Sequence, residues 1–147
     1  MINLRLAFMT LALSAAVYAH TAAACGDSPI FTMTKEDGTK IGLVISESDL
    51  AGVQQWTPGK GEPPLSVSKA IDIALKWGKT EYTRFDELRI QGIDINSSSC
   101  GRGQGTWYYL ISFTPVIDGN ALFGSGYFVA VLMNGKVVAP RKLQDGS

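Results

Sequence analysis

The apolar residues of this chain change period once, and that change limits the fold more than any other feature. Val67, Ala70, Ile71, Ala74 and Leu75 recur at i, i+3, i+4, i+7 and i+8. This spacing lays one apolar stripe along one side of a helix. Ser66 stands where a side-chain oxygen caps the first turn, and Leu65 stands where a hydrophobic staple forms. Asp72 and Lys76 make an i,i+4 pair on the polar side, and Gly78 reads as the C-terminal stop. From Leu88 onward the period is two. Leu88 and Ile90 alternate with Arg89 and Gln91; beyond Gly92, Ile93 and Ile95 take the opposite parity. A phase shift at a strand glycine predicts a β-bulge.

The other strands follow from the same period. Trp107, Tyr109, Ile111 and Phe113 share one face of a strand, and Tyr108, Leu110, Ser112 and Thr114 share the other. Tyr127 to Met133 is almost wholly apolar, as a central strand is. Asp118-Gly119-Asn120 and Asn134-Gly135 are turns; Lys136 to Ala139 returns and Pro140 ends it. Upstream, Ile30–Thr34 and Ile41–Ile45 flank Asp37-Gly38 and predict a hairpin. Ser46 to Val53 is expected to hold a short helix capped by Ser46 or Ser48. Trp56 to Pro64, with three prolines and two glycines, is an ordered connector that Trp56 pins to the core. The expected class is α+β in two layers: an N-terminal hairpin, and one main helix packed on an antiparallel β-meander.

Residues 1–24 have the pattern of a signal peptide: Arg5, an apolar run from Leu6 to Val17, then small residues. The run is shorter than the ~20 residues a spanning helix needs. Residues 25–147 then form a single domain, exported to the periplasm or beyond the cell. Cleavage fits after Ala19 or after Ala24. The second site puts Cys25 first, as in a lipoprotein whose cysteine is acylated. In an oxidising compartment an even cysteine count instead points to a disulfide between Cys25 and Cys100. Closing so long a loop would contribute roughly 4 kcal/mol, less any strain. The two readings exclude each other.

Export also removes chemistry. The single histidine, His20, lies inside the signal or at its edge. Without an imidazole held by the fold there is no Ser-His-Asp triad or Cys-His pair, and no histidine-based zinc site. Asp86 and Glu87 are strand neighbours facing opposite ways, and the spacing of Asp94 favours no acid pair with them, although a carboxylate-dependent hydrolase stays open as an alternative. Gly101-Arg102-Gly103-Gln104-Gly105 leads into a strand rather than a helix, so it is not a phosphate loop. Asn96-Ser97-Ser98 matches a glycosylation acceptor. Net charge is zero, which gives no nucleic-acid signal, and no cofactor or metal is expected. The aromatic cluster Trp107-Tyr108-Tyr109, together with Trp56, is the candidate partner-binding surface.

Leu65 to Leu143 resembles a PepSY-like module, a small exported α+β domain. The resemblance rests on the helix Ser68-Lys69-Ala70-Ile71-Asp72-Ile73-Ala74-Leu75 with its following glycine. It also rests on Trp107-Tyr108-Tyr109-Leu110 and the terminal Met133-Asn134-Gly135-Lys136-Val137-Val138. It implies a non-catalytic module that regulates a peptidase or another envelope hydrolase. A structural lipoprotein anchored through Cys25 is the alternative.

Overall fold

A computed structural model describes residues 28–35, 37–98, 105–124 and 126–143. The signal segment, His20, Cys25, Cys100 and Gly101 to Gln104 lie outside them. In chain order the elements are β1 (Phe31–Thr34), β2 (Lys40–Leu43), α1 (Glu47–Leu50), α2 (Val67–Glu81) and β3 (Glu87–Ser97). β4 (Trp107–Ile117), β5 (Asn120–Ala121), β6 (Phe128–Leu132), β7 (Val137–Val138) and β8 (Arg141–Lys142) follow. The larger sheet runs β3-β4-β6-β7, with β5 pairing on β4; the smaller runs β1-β2-β8. Every strand pairing among the described residues is antiparallel.

The class is α+β, with the N-terminal hairpin and one main helix in their expected places. The hairpin makes a third layer. On one face of the larger sheet, Tyr109, Ile111, Phe113, Val129, Val131 and Met133 pack with Ala70 and Ala74 of α2. On the other, Tyr108, Leu110, Phe128, Ala130 and Leu132 pack with Ile41, Leu43 and Ile45. The ring of Phe31 meets that of Phe128 edge-on at 4.9 Å. This is why all five residues of β6 are buried: each side of the strand has a layer against it. Burying each large apolar side chain contributes about 1.5–3 kcal/mol, so β6 anchors both cores.

The bulge lies where the phase shift put it. Ile90 pairs with Phe113 and Gly92 with Ser112, leaving Gln91 as the extra residue. The insertion keeps both Ile90 and Ile93 on the helix side. Two turns share one design. At Lys35 to Thr39, the Gly38 N–H donates to the Lys35 carbonyl, and the Asp37 carboxylate accepts the Thr39 N–H at 2.9 Å. At Leu132 to Lys136, the Gly135 N–H donates to the Leu132 carbonyl, and the Asn134 side chain accepts the Lys136 N–H at 3.0 Å. In each the glycine takes a positive φ, which a side chain would disfavour.

Helix α2 differs from expectation at one glycine. Ser66 caps it, accepting from the Lys69 N–H. Gly78 does not end it; the helix continues to Glu81. The residues that touch the sheet most closely are Ala70, Ala74 and Gly78, one narrow row at i, i+4, i+8, while Val67 is largely exposed. A Cβ on Gly78 would stand 2.5 Å from Leu88 Cδ1. The glycine is there to let helix and sheet approach. The last two-residue strand, β8, was not foreseen. After Pro140 the chain leaves the larger sheet, and β8 pairs with Ile41 and Gly42 of β2.

Candidate functional site

The structure distributes the four aromatics expected at a binding surface between connector and core. Tyr108 and Tyr109 are both buried, one in each core, because the hairpin and the helix cover opposite faces of β4. Tyr109 donates to the Leu65 carbonyl at 2.6 Å. Trp56 and Trp107 meet edge-on at 5.8 Å and stay half-buried. Trp56 pins the connector as expected: its indole N–H donates to the Gly61 carbonyl at 3.1 Å and its backbone N–H to the Gly105 carbonyl at 3.0 Å. Of the four, only these two rings reach solvent.

The acids are also accounted for. Asp86, Glu87 and Asp94 are exposed. Asp86 accepts the Asp118 N–H at 2.7 Å, and Glu87 pairs with Arg89 at 3.0 Å. Asp86 and Glu87 line an open cavity of about 500 Å³ beside Lys79, Tyr82 and Leu88, with both carboxylates already held in these contacts. Among the described residues no group of three or more His, Cys, Asp or Glu could hold a metal ion. Among them, too, no helix is long and apolar enough to cross a membrane.

A larger cavity, about 560 Å³, opens at the other side of the α2–β3 connector. Lys35 and Asp37 come from the β1–β2 turn, Arg84 from the connector, Leu122 and Phe123 from the segment after β5, and Tyr127 from the residue just before β6. Arg84 is held from two sides. It donates to the Tyr127 hydroxyl at 2.7 Å, and its guanidinium lies 4.6 Å from the centre of the Phe85 ring. Phe85 and Tyr127 meet edge-on at 5.2 Å, and Tyr127 meets Tyr82 at 5.4 Å. Tyr82 in turn packs on Trp77 of α2 at 5.5 Å. Burial, with Glu81 nearby, pushes the Tyr82 phenol up to about 12. An aromatic cluster thus forms a rigid floor under Arg84.

The rim is apolar. Phe123 is 87% exposed and Leu122 38%. Leu122 and Phe123 stand side by side at the cavity, and an apolar patch beside a concave opening is the kind of feature that marks a contact surface. Sequence reasoning passed over this site. Phe123 belongs to no periodic segment, and Arg84 and Tyr127 are 43 residues apart. The one available signal was the pair Leu122-Phe123, two large apolar residues just after a turn.

No protein-family model, curated protein or solved structure matches this chain.

Proposed function

We propose that this chain is an exported, non-enzymatic binding module whose partner is a protein, with a peptidase or other envelope hydrolase as the partner class. The observation that carries the reading is Phe123, nearly bare beside a cavity whose wall includes Arg84 and Tyr127. Tyr127 is itself packed edge-on against Phe85 and holds Arg84, and a wall fixed in this way limits the entropy lost on docking. Aromatic anchors beside pockets are where binding energy concentrates. The resemblance of 65–143 to PepSY-like modules, which implies a regulatory rather than catalytic role, points the same way. The three exposed acids lend no support to a carboxylate-dependent hydrolase, since such chemistry needs converging acids sheltered from water.

The test is affinity capture from envelope and secreted fractions with wild type and Phe123→Ser side by side. A partner recovered by wild type and lost with the variant supports the reading. A partner retained equally by both would move the interface away from this rim. Hydrolysis of a model substrate by the purified chain, abolished by Asp86→Asn, would replace binding with catalysis.

A further inference from the structure

The cavity beside Phe123 carries more than an apolar rim. Lys35 and Arg84 both line it, and among the described residues neither forms an ion pair. Arg84 is nonetheless oriented, by the Tyr127 hydroxyl at 2.7 Å and by the Phe85 ring at 4.6 Å. An arginine fixed without a carboxylate partner keeps most of its planar fork of donors for something else. The Tyr127 oxygen accepts from Arg84, so its own O–H proton remains available to donate to a second acceptor. Three donors therefore line one opening: a guanidinium, an ammonium and a phenol.

We propose that this cavity binds a carboxylate on a peptide segment of the partner protein, with Arg84, Lys35 and Tyr127 taking the carboxylate and Phe123 and Leu122 covering an apolar side chain next to it. The inference rests on the binding reading above and gives it a ligand chemistry. Charge argues for a carboxylate over a phosphate. Among the described lining residues, Lys35 and Arg84 bring positive charge and Asp37 a carboxylate. Hydrogen bonds from Thr39 hold the Asp37 carboxyl below its usual range. A phosphomonoester, carrying about −1.5 to −2, would bring excess negative charge against Asp37. A planar carboxylate also matches a guanidinium fork in two parallel hydrogen bonds. The apolar requirement follows from position: Phe123 lies on the rim, so a ligand that covers its ring extends beyond the charged groups. A short peptide does this, and a small acid does not.

The experiment is selection of a displayed library of random dodecapeptides on the full mature protein, followed by fluorescence-polarisation titration of the enriched sequences. The expected consensus is Asp, Glu or a free C-terminus with a large apolar neighbour. Arg84→Gln and Phe123→Ser should each weaken binding about tenfold. Arg84→Lys, which keeps the charge but not the fork, should recover only part of the loss. Replacing the peptide's acid by its amide should match the Arg84→Gln loss and add nothing further in that variant. Circular dichroism and melting confirm that each variant is folded. Enriched peptides without an acid, still sensitive to Phe123→Ser, would overturn the carboxylate assignment and leave the binding surface standing. Acidic peptides bound equally by Arg84→Gln would overturn it too. Displacement by inorganic phosphate at lower concentration than by acetate would reassign the cavity to phosphate. Failure to enrich any sequence would count against both the cavity and the rim as a peptide site.

Discussion

The phenolic hydroxyl of Tyr109 donates to the main-chain carbonyl of Leu65 at 2.6 Å, joining the first part of β4 to the residue just before the cap of α2. Tyr109 is fully buried and Leu65 nearly so. The bond fixes where the helix starts on the sheet. Burial, with Glu62 nearby, also pushes the phenol up, so the bond persists through neutral pH.

Tyr109→Phe removes the donor and strands a carbonyl in an apolar site. The expected cost is about 1–3 kcal/mol, read as a lower urea midpoint with an unchanged m-value. Tyr108→Phe, on the opposite face and with no hydroxyl hydrogen bond among the described residues, is expected to cost less than Tyr109→Phe.

Asp49 serves two elements. It closes the capping box of α1 with Ser46, and its other oxygen lies 2.9 Å from Lys136 Nζ in the β6–β7 turn. The Ser46 hydroxyl, then Lys136, holds its carboxyl down to about 2 from an ordinary 3.8. The folded state therefore binds this proton less readily than the unfolded state. The stabilisation is complete above pH ~4 and disappears as pH falls from ~4 towards ~2. Asp49→Asn should cost about 1 kcal/mol at pH 7 and flatten this part of the stability-against-pH curve. A wild-type curve already flat between pH 4 and 2 would contradict the assignment.

Gly78 and Leu88 are coupled by lack of space. An alanine at 78 gains up to about 1 kcal/mol of helix propensity. In the wild type that gain is offset by pushing Leu88 aside, since the new Cβ would sit 2.5 Å from Leu88 Cδ1. In a Leu88→Ala background the space is open. Gly78→Ala is therefore expected to stabilise the Leu88→Ala protein by more than it stabilises wild type, with a coupling of about 1 kcal/mol in the double-mutant cycle. Additive effects would mean that Leu88 yields to the new methyl without cost.

Reading Cys25 and Cys100 as a pair makes a separate prediction. The non-reduced mature chain should weigh two hydrogens less than the reduced one, and Cys100→Ser should lower stability by about 4 kcal/mol less strain. A diacylglycerol mass on Cys25 would assign the lipoprotein form instead.

What the sequence revealed was whatever is encoded locally. The cap at Ser66, the bulge beside Gly92 and the glycine turns each depend on a few adjacent residues, and each is where the pattern places it. The failures share a cause. Gly78 carries the same letter whether it ends a helix or admits a neighbour, and only Leu88 decides. Adjacent Tyr108 and Tyr109 had to face opposite ways, but whether either face stayed open depended on where a hairpin some seventy residues upstream docked. Arg141-Lys142 has no apolar alternation, so its pairing with β2 left no periodic trace. The cavity is assembled from the β1–β2 turn, the connector and the approach to β6, none of which shows the site alone.

The pairing of β8 with β2 closes an edge. Ile41 and Gly42 find their outer partners at Lys142 and Arg141, about a hundred residues further along the chain. The two strands of the hairpin are close in sequence and can zip early, whereas contacts of such long range close late. Until β8 arrives, β2 is an open strand edge, the kind of surface that recruits a neighbouring chain. A strand of only two residues thus works as a latch, and its arrival takes that adhesive edge out of circulation.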